Sequence, residues 1–393
     1  MRPRNRLIII GGAVAAVAVA AFLVQVAIGG GPGVPAARGG DDATWTTVFK
    51  STFGLEGLTG DNDGFLYSAD RGGSLGCRVW RVPAAGGAAV VVGHVAPPCS
   101  PSGLTFDATG KLYITGVGPA QDQIWSVLPS ATTPPPEATP YATGVPIANG
   151  IAFDTSGALW AVDGTNNQGI VWRVPPGGGK GVEAFRVPPT ANSVGIGRQN
   201  STVQPPVAAN PQGIAANGVA FTEDGTLLVA DTSRGAIWSV AVGDDGIVAS
   251  PTGCDSTYTA DTLCADDLLV ENPLLEGADG FALDRAGNIW TAANERTAIV
   301  VVSRAGRVEE FFRNPPDAVT HRRNSGPLEF PTSPFLLDKT LCVTQSDGNR
   351  RDNSPNSAGE VGPGTGFAAK ISCLDQPLQT PGLPLPVGHG SHG

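Results

Sequence analysis

Four oxygen-bearing residues recur at one place in a repeated pattern: Glu56, Asn149, Asn217 and Asp279, each followed by glycine. They begin the runs Glu56-Gly57-Leu58, Asn149-Gly150-Ile151, Asn217-Gly218-Val219 and Asp279-Gly280-Phe281. Ser102-Gly103-Leu104 and a degenerate Ser333-Pro334-Phe335 open two further copies. Two carboxylates and two carboxamides are hard oxygen donors of the kind calcium takes, and two negative charges balance a dication. No Cys or His shares the register, which disfavours a softer metal. Glu56, Asn149, Asn217 and Asp279 together would hold one calcium ion. Taken singly, each Asn-Gly or Asp-Gly is also an ordinary turn former at the start of a strand. Glu56 has no turn preference, and its charge in a narrow channel would need a partner.

Residues more than 40 positions apart converge only if the repeats carrying them are related by rotation. After each opening come alternating apolar residues and a Gly-containing turn, such as Asp63-Gly64, Thr109-Gly110 or Asp224-Gly225. A second strand follows (Lys111 to Thr115, Ala158 to Val162, Asn288 to Ala292). A third reads Arg78 to Val82, Gln123 to Val127, Ile170 to Val174 and Ala236 to Val240. Period-two alternation between such turns is a hairpin signature. Repeats of roughly 40–50 residues, each with about four strands, mark a β-propeller. Fourth strands are legible as Ala88–Val95, Val182–Val187 and Val308–Arg313. The sixth copy runs out at Cys373, and Thr44–Lys50 can supply its missing outer strand, removing an exposed sheet edge. The predicted architecture is all-β: a six-bladed β-propeller over 44–373, preceded by an N-terminal hydrophobic export or anchor segment (1–28) and a Gly/Pro-rich linker (29–43). A Pro/Gly-rich tail (374–393) follows. The stretches Pro188–Ala216 and Pro315–Phe330 read as loops on a face of the disc, and aromatic residues of the blades and the first loop as the walls of an apolar pocket.

Composition agrees. The 393 residues include 54 Gly and 34 Pro but only 15% charged residues, which favours short strands joined by turns over long helices. A net charge of −10 excludes the basic field that nucleic acid requires. Arg2, Arg4 and Arg6 precede an uncharged run from Leu7 to Ile28, the order of a signal peptide or a membrane anchor, and both remain open. Either way the propeller is expected outside the cytoplasm, secreted or held at the outer membrane face, and the membrane is touched only through that segment. The six cysteines fall as neighbouring couples, Cys77 with Cys99, Cys254 with Cys264 and Cys342 with Cys373. With no Cys-x-x-Cys, they read as disulfides paired in sequence order.

The six copies resemble the superfamily of senescence marker protein, gluconolactonase and luciferin-regenerating enzyme, which includes squid-type diisopropyl fluorophosphatase. The resemblance covers about 44–373 and is strongest at the blade openings. It implies a six-bladed propeller with a channel calcium, hydrolysing lactones or organophosphate esters. The family's first-blade Glu-Gly matches Glu56-Gly57, its third-blade Asn Asn149, its fourth-blade Asn-Gly Asn217-Gly218 and its fifth-blade Asp-Gly Asp279-Gly280. In the family the last is both metal ligand and catalytic carboxylate. Its sugar lactonases carry an Arg two residues before the third-blade Asn, then Asn-Asp-Gly. Here Ile147 and Asn149-Gly150 stand in those places, so a sugar-acid clamp is missing. The expected activity is therefore an exported, calcium-dependent lactone or ester hydrolase, monomeric, acting on a small molecule. The alternative is a non-catalytic propeller with NHL-like repeats that binds a ligand or a protein at the same mouth. A metal-free relative of strictosidine synthase would leave Glu56 and Asp279 without a charge partner.

Weaker signals are Gly72-Gly-Ser-Leu-Gly76, a serine-nucleophile pattern that would need a following helix, and Thr59–Gly64, which hints at a calcium loop but reads better as a hairpin turn. His321 falls in a loop, His389 and His392 in the tail, and Asn200 in a glycosylation triplet.

Overall fold

The computed structural model describes residues 43–72, 76–116, 122–163, 168–188, 214–254, 260–316, 318, 326–346 and 369–385. The hydrophobic segment 1–28, most of the linker, the loop residues 189–213, Ser74, Asn200, His321, His389 and His392 lie outside the described residues. Among the described residues no helix is long and apolar enough to cross a membrane.

Strand β1 (Trp45–Lys50) comes first in the chain and belongs to the last blade. Blade 1 is β2 (Thr59–Gly60), β3 (Phe65–Ala69), β4 (Cys77–Pro83) and β5 (Val90–Val95). Blade 2 is β6 (Pro101–Phe106), β7 (Leu112–Gly116), β8 (Gln123–Val127) and β9 (Thr139–Thr143). Blade 3 is β10 (Ile151–Phe153), β11 (Leu159–Val162), β12 (Ile170–Val174) and β14 (Val182–Arg186). The short β13 (Gly179–Lys180) between its last two strands pairs in parallel with β9 of blade 2. Blade 4 is β15 (Ala216–Phe221), β16 (Leu227–Asp231), β17 (Ala236–Val240) and β18 (Leu268–Glu271). Blade 5 is β19 (Ala278–Leu283), β20 (Ile289–Ala293), β21 (Ala298–Val302) and β22 (Val308–Arg313). Blade 6 is β23 (Pro331–Leu337), β24 (Thr340–Gln345) and β25 (Lys370–Leu374), completed by β1, with Trp45 opposite Leu374 and Lys50 opposite Lys370. The six blades and the closure by the N-terminal strand are as the repeats predict.

Four of the six first hairpins are closed by the same device. Asp107 accepts from the amides of Thr109 and Lys111 on one oxygen and from the Tyr113 hydroxyl on the other. Asp61, Asp154 and Asp284 repeat this with Tyr67, Trp160 and Trp290. An Asx turn fixes the loop while the second oxygen anchors an aromatic ring on the next strand. Thr59–Gly64 is thereby a hairpin turn. Between blades the core is built of those rings and their neighbours. Trp160, Trp238 and Trp290 are essentially fully buried, and Tyr67 meets Phe106 edge-on at 4.9 Å.

The disulfides are Cys77–Cys99, Cys254–Cys264 and Cys342–Cys373, the pairing expected from the sequence. The last joins directly opposed residues of β24 and β25. Beyond it the chain crosses the hairpin ends of blades 6 and 5: Leu378 donates to Lys339, Arg285 to Pro381 and Leu383 to Leu283 through their backbones.

Candidate functional site

The glycine after each opening residue places one blade against the next. The Gly57 amide donates to the Ser102 carbonyl at 2.9 Å, Gly103 to Asn149 at 3.2 Å and Gly150 to Asn217 at 3.0 Å. A Cβ added at Gly57, Gly103, Gly150 or Gly218 would stand 2.3 to 2.5 Å from the carbonyl oxygen of Ser102, Asn149, Asn217 or Asp279 respectively. At Gly280 it would stand 2.8 Å from that of Thr332. None of these five glycines adopts the left-handed backbone that turns demand. They are glycines because two backbones touch there, so turn formation does not account for them.

These contacts define a ring of Glu56, Ser102, Asn149, Asn217, Asp279 and Thr332. The sixth member corrects the sequence alignment by one residue. The register of β23 slips between Pro331 and Ser333, leaving Thr332 bulged, as β19 slips between Ala278 and Phe281 around Asp279. Pro331-Thr332 thus answers to Pro101-Ser102, a match that Ser333-Pro334 obscured. A bulge re-aims a side chain that would otherwise lie in the sheet face.

The structure brings the four predicted residues into this ring and adds three that the sequence did not reveal. The Ser102 hydroxyl donates to Asn149 Oδ1, Asn149 Nδ2 to Asn217 Oδ1 at 2.5 Å, and Asn217 Nδ2 to Thr232 Oγ1 at 3.0 Å. The Thr232 hydroxyl donates in turn to the Ala278 carbonyl. On the acidic side, Asn294 Nδ2 holds Asp279 Oδ2 at 2.9 Å, and Arg71 Nη2 meets Glu56 Oε2 at 3.0 Å. Thr232, Asn294 and Arg71 all follow second strands, where the repeats differ most. Their one shared signal is a polar residue just past the end of that strand.

Asp279 is the electrostatic focus. Burial pushes its pKa well above the usual carboxylate range, and the nearby Glu56 carboxylate raises it further, against opposing help from Asn294, the Gly280 amide and Arg71. A second buried carboxylate, Asp163, directly follows blade 3's second strand. Burial pushes it up to about 7 although the Ile170 amide donates to it. Its counterparts are better served: Asp70 takes Arg78 and Trp80, and Asp231 takes Arg234 and Trp238.

The donor chemistry fits an oxygen-coordinated dication. Glu56 and Asp279 repel each other, which a cation between them would relieve, while Asn149 and Asn217 lie within the same ring. Each amide would exchange one hydrogen bond of the ring for an inward-turned oxygen. Among the described residues no cluster of three or more His, Cys, Asp or Glu exists, so carboxamides would have to complete any such set. Aromatic residues of blades 2 to 4 gather around one cavity beside the Asp107 and Asp154 turns. Phe106, Tyr113, Tyr141, Phe153 and Phe221 line it, and its volume is about 760 Å³. The Gly72–Gly76 pattern is followed by strand β4 rather than a helix, so the serine-nucleophile elbow is ruled out.

Residues 205–323 match the model of the family described as SMP-30/Gluconolactonase/LRE-like region, in line with the resemblance of the blade openings. The fold is similar to a luciferin-regenerating enzyme, with 13% identity, 87% of this chain and 98% of that one covered, and a TM-score of 0.54. An aldose sugar dehydrogenase from Streptomyces coelicolor, solved with PQQ bound, shares 16% identity over 86% of this chain and all of that one, TM-score 0.53. The calcium-binding protein regucalcin from Agrobacterium tumefaciens shares 16% over 88% and 98%, TM-score 0.52. At such identities the likeness is one of fold. No curated protein sequence matches the chain.

Proposed function

We propose that this propeller is an exported, calcium-dependent hydrolase of lactones or related esters, organophosphates among them, with Glu56, Asn149, Asn217 and Asp279 as the metal site. The observation that carries this reading is Asp279, a carboxylate buried beside a second carboxylate and braced chiefly by the neutral Asn294. Such a pair calls for a cation. The family match and the calcium-binding fold relative support the same choice.

When bound, the cation would polarise the carbonyl or phosphoryl oxygen of the substrate. The remaining work falls to side chains of the ring. Asn294 fixes one oxygen of Asp279, so the carboxylate is oriented before substrate arrives. Oriented and ionised, Asp279 takes a proton from the attacking water or attacks the electrophile itself. The Ser102–Asn149–Asn217–Thr232 chain keeps both amides on the opposite arc, where each would give up one of its hydrogen bonds to turn an oxygen inward. Ile147 in place of an Arg leaves no sugar-acid clamp, which favours a less polar acyl group than a sugar acid. The three disulfides support residence in an oxidising compartment outside the cytoplasm, as a secreted or membrane-anchored monomer acting on a small molecule.

The test is calorimetric titration of calcium into the full chain and into Asp279→Asn, followed by a panel of lactones, aryl esters and organophosphates. Binding that vanishes in the variant, with calcium-dependent turnover in the wild type, is expected. A folded wild type that binds no calcium would sink the metal reading. A second reading would then gain, a non-catalytic NHL-like propeller binding a ligand or partner. What favours it is that the amides already satisfy one another and Arg71 already pairs Glu56.

A further inference from the structure

Arg71 sits where the ring is most acidic, and its position is built in. Its amide donates to the Gly54 carbonyl at 3.0 Å, and its Cδ packs close to Gly54. Nε donates to the Pro101 carbonyl at 3.2 Å and Nη2 to Glu56 at 3.0 Å. The side chain keeps 28% of its surface exposed against 13% for Glu56, so the guanidinium stands at the rim with the carboxylate behind it. Its charge also reaches Asp279. Arg71 grips Oε2 of Glu56, so a calcium ion taking that carboxylate through both oxygens would have to share Oε2 with a guanidinium whose charge also opposes it.

We propose that Arg71 is a built-in counter-cation of the Glu56–Asp279 pair, which competes with the divalent metal for Glu56 and, once displaced, presents its guanidinium to an anionic group of the substrate. This rests on the metal reading above. Counting charges shows why. With both carboxylates ionised, Glu56, Asp279 and Arg71 together carry one net negative charge, and a dication turns that into one net positive charge. A mouth with a surplus positive charge and a released planar fork suits a carboxylate or phosphonate oxygen pair. The substrate class narrows to lactones or esters that bear an anionic group close to the scissile bond. Arg71 is a positioning and selecting residue here, not a proton carrier.

The experiment compares wild type with Arg71→Met, which keeps the stem against Gly54, and with Arg71→Lys, which keeps the charge. Calcium is titrated calorimetrically into each full chain, and methylphosphonate is then titrated into the calcium-loaded protein. Melting temperatures measured alongside establish that both variants are folded. Removing the competitor should tighten calcium binding about three- to tenfold in Arg71→Met, the scale of a partly exposed ion pair. The same variant should lose the methylphosphonate binding of the loaded wild type, while Arg71→Lys stays near wild type for calcium. Calcium binding that is unchanged or weaker in Arg71→Met overturns the competition, and equal methylphosphonate binding overturns the anion role. In both cases the metal reading survives. Absence of calcium binding in the wild type and both variants overturns the two together.

Discussion

Gly218→Ala tests the construction of the ring. The added methyl would sit 2.4 Å from the Asp279 carbonyl oxygen and 3.0 Å from the Gly280 Cα, and both are backbone atoms that cannot swing aside. Cβ atoms essentially never approach closer than 3.0 Å, so blades 4 and 5 must part by about 0.6 Å at that point, in a packed interior that transmits such strain. Overpacking of this kind costs about 1–3 kcal/mol, toward the upper end where neither side can relax. Alanine's smaller unfolded-state entropy returns about 0.4–1 kcal/mol. The net expectation is a destabilisation of about 2 kcal/mol in guanidinium unfolding followed by tryptophan fluorescence. Gly225→Ala is the control. Nothing lies within 4 Å of its Cβ, yet its φ of +82° belongs to the left-handed region, so it should lose about 1 kcal/mol through backbone strain alone. Because the displaced blade carries Asp279, Gly218→Ala should also weaken calcium binding, whereas Gly225→Ala should leave it unchanged. A Gly218→Ala protein within about 0.5 kcal/mol of wild type would refute the claim that blade approach dictates these glycines.

Two further outcomes follow from side chains already described. Burial raises the Asp163 pKa from the ordinary aspartate 3.8 to about 7, so the stability it contributes is complete below pH 4 and is lost as pH rises through 7. Unfolding free energies should therefore fall across pH 4–7 by at most about 4 kcal/mol, and Asp163→Asn should flatten that slope; an unchanged slope would show that the group is not the source. Replacing Cys342 and Cys373 together by serine opens a link between residues 31 positions apart and should cost about 3–4 kcal/mol in the same unfolding assay. A loss under 1 kcal/mol would mean that blade 6 closes without its staple.

The propeller was legible in the sequence because blades 1 to 5 each mark their first hairpin with a Gly-containing turn. Asp154 with Gly157, or Asp284 with Gly287, announces a hairpin at the same offset each time, and period-two alternation does the rest. The ring was legible by rotation alone, since one member per blade must meet its equivalents. What failed has physical causes. Sequence does not distinguish a glycine that turns the chain from one that lets two backbones touch, so Gly150 and Gly218 read as turn formers although the next blade's backbone closes off their Cβ positions. The bulge in β23 shifts one residue rather than two, and this moved the sixth position from Ser333 to Thr332. Arg71, Thr232 and Asn294 come from loops of unequal length, where no periodicity exists to align them. The loan of β13 to blade 2 rests on backbone hydrogen bonds between Gly179–Lys180 and β9, which no side-chain pattern marks.

The joining of β1 to β25 sets an order of events during synthesis. The strand that completes blade 6 emerges first and finds its partner last, since Thr47 and Ser372 lie 325 residues apart. Bringing ends so distant together costs about 5 kcal/mol of chain entropy by the logarithmic loop law. Until Cys373 leaves the ribosome, β1 is an unpaired ribbon whose Trp45 has yet to reach Phe312. At high concentration a second unfinished copy offers the same vacancy, and β1 of one molecule would pair with β25 of another. The seam that closes the last blade is thus also the last joint to form, so refolding yield should fall as protein concentration rises.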